Sequence, residues 1–355
     1  DYDCDGVTST ALLYTFLSAL GGFVSYYIPN RATDGYGMNF KAIDKIKADG
    51  TDLIITVDNG ISSIEEAEYI YSLGMQLIVT DHHQIGENLP RAEAVINPHR
   101  KDNEIEFRDF AGVGVAFKLA CALYDGDVED LLEDYADYVT IGTIGDMVPL
   151  LNENRAIVKA GLKLINTDAK IGISALKKST NSKAEHFSAT DVAFQICPRI
   201  NAAGRMDTAD LAVDLLTCED NEIAEYKAEQ LNLENTHRHE VEEKIDKDIA
   251  EIMSNDRAYQ TDRVIVVAGH NYHKGVIGLC AAHLVELYSK PAIVIGIDDE
   301  GNATGSARSI DGFNIFEAIS SCSDILTHFC GHTLEAGMGL KVKDIAAFRK
   351  RINDF

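Results

Sequence analysis

The sequence predicts an α/β protein of two domains joined by one long helix. Three observations carry the prediction. Short apolar runs alternate with helical patterns through the first 110 residues. A second alternation of the same kind starts at Val264. Between them lies a long polar stretch whose apolar residues recur at helical spacing. A chain of 355 residues is long enough for two domains of ordinary size.

The elements follow in order. Phe23–Ile28, Leu53–Val57, Leu77–Thr80 and Ala94–Ile96 read as strands. Val7–Leu20, Lys41–Asp49 and Ile61–Leu73 carry helical spacing between them, the rhythm of a parallel sheet with helices on both faces. From about residue 112 to 218 the pattern is mostly helical. The stretch 219–256 holds 13 acids against 4 bases, and its apolar positions Val241, Ile245, Ile249 and Ile252 repeat at helical spacing. It is expected to form a long, largely solvated connecting helix. Val264–Ala268 (strand), Gly275–Leu287 (helix) and Ala292–Ile297 (strand) then open a glycine-rich second domain. The expected domain organisation is 1–218, a connecting helix at 219–256, and 257–355.

Composition excludes several classes. Apolar residues make up 46% and charged residues 25%, the profile of a globular chain. No apolar run approaches the roughly 18 residues that a membrane helix needs. The seven cysteines form no Cys-x-x-Cys pair, which argues against a zinc site or disulfide framework and for a reducing, cytoplasmic setting. The net charge of −25 rules out nucleic-acid binding through bulk charge. Any phosphate must be held by a few placed cations or by metal ions. The chain opens on an Asp inside a motif and has no initiator Met, so it is expected to be part of a longer polypeptide.

Ligands of a parallel α/β sheet bind beyond the carboxyl ends of its strands. Asp1, Asp3 and Asp5 form Asp-x-Asp-x-Asp-Gly just before a helix. Asp58 follows one strand, and Asp81, His82 and His83 follow the next. Asp146 stands between an apolar helix and a Pro turn. Taken singly, each Asp has a structural explanation as a helix cap or turn residue. Adjacent histidines have no capping role, and clustered carboxylates repel unless a cation neutralises them. Mixed oxygen and imidazole ligands suit Mn²⁺, Mg²⁺ or Fe²⁺. Two such ions can hold the attacking and leaving oxygens of a phosphoryl transfer.

Asp-Tyr-Asp-Cys-Asp-Gly, Val-Asp-Asn-Gly-Ile, Thr-Asp-His-His and Gly-Asp-Met-Val-Pro-Leu, in this order, resemble the four motifs of the DHH phosphoesterase superfamily. Residues 28–37, 95–100 and 198–205 carry a narrower resemblance, to its single-strand-specific 5′→3′ DNA exonucleases, over essentially the whole chain. The resemblance implies two Mn²⁺ ions, with Mg²⁺ as the alternative. Asp58 would bridge them, Asp1 would hold one, and Asp3, His82 and Asp146 the other. His83 would contact or position the scissile phosphate, and Asp5 would orient the first loop. It also implies a metal-binding domain and a smaller DHH-associated, substrate-binding domain, with the active-site cleft between them. In the family a strand precedes the first Asp, and this sequence starts without it.

The second domain carries three glycine-rich segments, at 269–278, 305–309 and 330–339. Glycines let backbone amides approach a phosphate, although tight turns explain any one segment alone. By resemblance, Ser306, Arg308, His332 and Arg31 would hold the terminal 5′-phosphate or its neighbours. Arg199 and Arg205 would contact the strand's backbone, against the simpler reading of ion pairs on an acidic protein. Cys330 stands where the family has Gly, and Tyr272 where it has Trp. Tyr36 is weighed as a base-stacking residue against a place in the core.

The expected function is release of 5′-mononucleotides from single-stranded DNA in repair and recombination. A single-strand-binding protein and a helicase are the partners the resemblance implies, and no membrane. Two alternatives stand beside it. One is an enzyme of the same superfamily acting on short oligonucleotides or cyclic dinucleotides. The other is a non-catalytic relative that kept the fold, which the complete ligand set argues against.

Overall fold

The structure, a computed structural model, describes residues 1–31 and 34–355; Ala32 and Thr33 of the 28–37 segment lie outside it. The chain divides into two compact units, Asp1–Asn235 and Thr236–Phe355.

The first unit opens with α1 (Cys4–Ala19) and α2 (Phe40–Ala48), then β1 (Leu53–Val57), α3 (Ile64–Ser72), β2 (Gln76–Thr80) and β3 (Ala94–Ile96). The three strands form one parallel sheet in the order β1-β2-β3, with Ile54 opposite Leu77 and Val79 opposite Val95. Side chains alternate between its faces. Ile54, Leu77, Val79 and Val95 pack with Ile43 of α2 and with Ala67 and Ile70 of α3. Ile55, Val57 and Ile96 turn to the other face, against the larger core. That core is helical: α4 (Gly112–Leu123), α5 (Val128–Gly145), α6 (Asn152–Thr167) and α7 (Ile171–Ser179). Leu12 and Phe16 of α1 meet Phe117, Tyr138 and Ile141 within it. The short α8 (Ala189–Asp191) runs through a π-helical turn, Val192–Ile196, into α9 (Cys197–Met206), and α10 (Asp210–Leu216) follows.

The strand expected at Phe23–Ile28 does not form; residues 23–30 carry no regular structure. A strand exists only by pairing with a neighbour, and no strand among the described residues lies beside this segment. Side chains hold it instead. The Tyr26 hydroxyl bonds the Asp214 carboxylate, and the Tyr27 hydroxyl donates to Asp34 at 2.9 Å. Phe23 is left fully exposed.

The polar stretch forms α11 (Asn221–Asn255), which crosses from one unit to the next. Ala224, Ala228 and Leu231 are buried in its first half, Ile245 and Ile249 in its second.

The second unit contains α12 (Ala258–Thr261), β4 (Ile265–His270), α13 (Ile277–Tyr288), β5 (Ala292–Ile297), β6 (Asn302–Arg308), α14 (Ile315–Ser320), β7 (Leu326–Gly331), β8 (Glu335–Lys341) and α15 (Ile345–Asp354). Its mixed sheet has the order β4-β5-β6-β8-β7, with only the β4–β5 pair parallel. α13 packs on β5 and β6. Ile315 and Ile319 of α14 and Phe348 of α15 join Val266, Ile293, Ile295, Met338 and Leu340 in the core.

Candidate metal centre

Asp3 is the N-cap of α1, and its Oδ1 accepts the amides of Asp5 and Gly6, both at 3.0 Å. The loop folds back on itself because Gly6 has no side chain; a Cβ there would stand 2.5 Å from the Asp1 carbonyl oxygen. Asp5 turns inward and is 1% exposed. Its carboxylate accepts the amides of Gly112 (2.6 Å) and Val113 (2.8 Å) at the start of α4. This helix N-terminus stabilises the negative charge. Burial and the Asp146 charge oppose it more strongly and push the pKa up to about 7.

Asp58 follows β1 directly, in the left-handed region with φ 58°. Its carboxylate is buried against the backbone of Gly112, where a Cβ would lie 2.6 Å from the Asp58 Cβ. Its Oδ1 has no hydrogen-bond donor, although His82 Nε2 lies 3.1 Å away in a position that makes no aligned bond. Burial, then the charges of Asp5 and Asp3, push its pKa well above the usual carboxylate range. Asp146 caps the C-terminus of α5, with Oδ2 3.8 Å from His82 Nδ1. Its pKa is also raised, first by burial and then by Asp3 against the lowering effect of His82.

Asp81 behaves in the opposite way. Burial works against its charge, but the hydrogen bond from His83 and the backbone amides hold it below the ordinary range. Oδ1 accepts from the amides of His82 and His83 and pairs with His83 Nδ1 at 2.7 Å, while Oδ2 accepts the Ile61 amide at 2.9 Å. With Nδ1–H donating to Asp81, His83 presents the lone pair of Nε2. The Tyr36 hydroxyl lies 3.4 Å from that nitrogen.

Three overlapping groups of ligand atoms result: Asp1, Asp3 and Asp58; Asp5, His82 and Asp146; and Asp58, His82 and His83, each within 4.8 Å. The residues fit divalent cations on two grounds. Five carboxylates crowd one site, these groups of described residues include no Lys or Arg, and a buried carboxylate oxygen lacks any donor. The donor set is oxygen and imidazole; the neighbouring Cys4 thiol turns away towards the Ile141 carbonyl at 3.8 Å.

The predicted substrate residues divide between the units. Arg31 stacks over the Tyr2 ring at 4.2 Å, Tyr2 meets Tyr36 edge to face, and Tyr36 meets His83 the same way. Arg31 is thus tied to the centre through aromatic rings. Arg199 donates to Asn232 at 3.0 Å and to the Gln195 carbonyl at 2.7 Å. Arg205 stands in the last turn of α9, whose Gly204 packs on the Tyr2 carbonyl; a Cβ there would approach it to 2.3 Å.

In the second unit, Ser306 and Arg308 alternate along β6. Arg308 reaches Ser306 Oγ at 3.3 Å and Glu335 at 3.3 Å, and Gly278 in the first turn of α13 lies against both Ser306 and Arg308. His332 sits in the turn before β8, its amide donating to the Glu335 carbonyl at 2.8 Å. Gly331 needs to be glycine there, with φ 146° and a Cβ position 2.4 Å from the Glu335 carbonyl oxygen. Cys330 makes no such demand, and its φ is negative like that of an ordinary strand residue. Tyr272 is buried and bonds Asp248 of α11.

The roles of Asp81 and Gly112 were not legible in the sequence. The Asp-His-His triplet marked Asp81 as part of a cluster, not as the anchor that orients His83. Gly112 gave no signal, since the backbone it admits lies 54 positions away.

The fold and the clustered carboxylates and imidazoles place the chain in the DHH class of proteins. The family model described as the DHH family, N-terminal domain, matches residues 1–143, and the DHHA1 domain model matches residues 261–355. The chain belongs to the RecJ family. It is 44% identical to the single-stranded-DNA-specific exonuclease RecJ of Bacillus subtilis over all 355 residues, and spans 44% of that protein's length. A crystal structure of RecJ in complex with Mn²⁺ from Thermus thermophilus aligns with all of this chain and half of its own, at 32% identity and a TM-score of 0.86. A crystal structure of exonuclease RecJ bound to manganese aligns over 88% of its chain, at 33% identity and a TM-score of 0.85.

Proposed function

We propose that the chain carries the catalytic part of a metal-dependent, single-stranded-DNA-specific 5′→3′ exonuclease that releases 5′-mononucleotides in DNA repair and recombination. The observation that carries this reading is the donor-less oxygen of Asp58 at the meeting point of the carboxylate groups. Asp1, Asp3, Asp58, His82 and Asp146 would hold two Mn²⁺ ions, or Mg²⁺ in their place. Bound ions supply the positive charge that stabilises phosphodiester hydrolysis. Asp5 holds α4 against the first loop, and Asp81 holds the ring of His83, which would contact or position the scissile phosphate. Ser306, Arg308 and His332 would receive the terminal 5′-phosphate; a bidentate Arg and a helix N-terminus suit that dianion. Arg31 would hold the terminal phosphate or its neighbours, and Arg199 and Arg205 would contact the strand's backbone, Arg199 with two nitrogens already committed.

No helix of the described residues is long and apolar enough to cross a membrane. Seven free cysteines support a reducing, cytoplasmic setting. A single-strand-binding protein and a helicase are the proposed partners.

The test supplies purified protein and Mn²⁺ with a 5′-phosphorylated single strand of about 20 nucleotides, a length that covers one or two typical single-strand footprints. A dinucleotide, the matching duplex and an Asp146→Ala variant run in parallel. Stepwise 5′-mononucleotides from the single strand alone, absent in the variant, are expected. Cleavage confined to the dinucleotide would replace this reading with a short-oligonucleotide phosphodiesterase.

A further inference from the structure

We infer that Asn201 is a positioning residue for the metal centre, holding the first ligand loop in the shape that leaves Asp3 available to a cation. The inference rests on the two-metal reading above. The first turn of α1 has orphan amides that need acceptors. The Asp3 cap takes those of Asp5 and Gly6, both on Oδ1, so these bonds leave Oδ2 uncommitted. The Val7 amide bonds the Asp3 carbonyl at 2.8 Å in the first helical bond. The Cys4 amide, between ligand Asp3 and anchor Asp5, is beyond the cap's reach. Its acceptor is Asn201 Oδ1 at 2.8 Å, from a helix 197 residues further along the chain.

The contact is built rather than incidental. Asn201 and Gly204 are three apart on α9 and share a face. Gly204 allows the helix to approach the Tyr2 carbonyl, and Asn201 then supplies the acceptor to Cys4. Both contacts fall inside the Asp1–Asp5 loop. Without Asn201 the Cys4 amide loses its acceptor, and the loop that carries Asp3 loses its tie to α9. Partners that orient metal ligands typically alter metal affinity by about 10–100-fold when removed.

The experiment is Mn²⁺ titration of the 355-residue chain by calorimetry, with metal-free melting curves beside it. Asn201→Ala is expected to weaken Mn²⁺ binding by about 10–100-fold. Asn201→Asp keeps an acceptor oxygen at the same reach and is expected to bind within about threefold of the parent. If the Ala variant does not fold, Asn201→Ser, whose oxygen falls short of the Cys4 amide, takes its place in the comparison with Asp. Equal affinity in the parent and the Ala or Ser variant overturns the inference, as does equal weakening in the Asp variant. A parent chain that binds no Mn²⁺ overturns the two-metal reading itself, a separate outcome.

Discussion

Asp58 and Asp81 follow adjacent parallel strands and are both buried, yet their environments push them in opposite directions. Asp58 has one oxygen without a donor and two acidic neighbours, so its charge is unsatisfied until a cation arrives. Asp81 has backbone donors and an imidazole, so its charge is satisfied within the protein. Substitution separates the two roles. Asp58→Asn is expected to abolish Mn²⁺ binding in a calorimetric titration while leaving the metal-free melting temperature no lower than that of the parent, because the amide removes a repelling charge. A clear drop in that temperature would show Asp58 to be a structural anion. Asp81→Asn is expected to leave Mn²⁺ affinity within a fewfold and reduce kcat on single-stranded DNA by about 10–100-fold, the range for a partner that orients a ligand. Retention of full kcat would count against the orientation of His83 through Nδ1.

At the scale of elements, the centre depends on close approaches that only glycine permits. The N-terminus of α4 meets the Asp58 backbone at Gly112, where a Cβ would lie 2.9 Å from the Asp58 Cα. Backbone on one side cannot give way as a flexible side chain does. Gly112→Ala is therefore expected to destabilise the chain by about 1–3 kcal/mol, the range for overpacking, measured by denaturant unfolding. An unchanged midpoint would mean that α4 can retreat from β1. The π-helical turn before α9 belongs to the same scale. Its wider spacing shifts the phase of the helix that follows, and so sets which face of α9 carries Asn201 and Gly204. The missing strand at Phe23–Ile28 makes the converse point: an apolar, β-prone run does not form a strand without a neighbour to pair with.

For the whole molecule, the raised carboxylates link stability to pH. Asp5, Asp58 and Asp146 all have folded pKa values above the ordinary 3.8, Asp5 at about 7. A group raised in the folded state holds its proton there more tightly than in the unfolded chain. Its stabilising contribution is complete below the unfolded pKa and is lost as pH rises through the folded one. The metal-free chain is thus expected to lose melting temperature between about pH 4 and 7, counter to the contribution of Asp81, which is lost only as pH falls. Mn²⁺ binds the ionised carboxylates, so its addition is expected to raise the melting temperature more at pH 7.5 than at pH 5. A metal-induced shift that is equal at both values would rule out Asp58 and Asp146 as ligands.

The sequence by itself determined the two α/β units, the long helix between them and the convergence of Asp1, Asp3, Asp58, His82, His83 and Asp146. These are local signals. Apolar period distinguishes strand from helix, and a carboxylate at the end of an apolar run stands at the ligand-binding edge of a parallel sheet. Only the tertiary structure decided that Asp81 anchors His83, that α4 seals Asp58 through Gly112, and that Asn201 meets Cys4 across 197 positions. It also decided that residues 23–28 stay unpaired. The physical reason is common to all of them. A period is written in neighbouring residues, whereas a hydrogen bond or a close approach between distant segments exists only once packing has fixed both their positions.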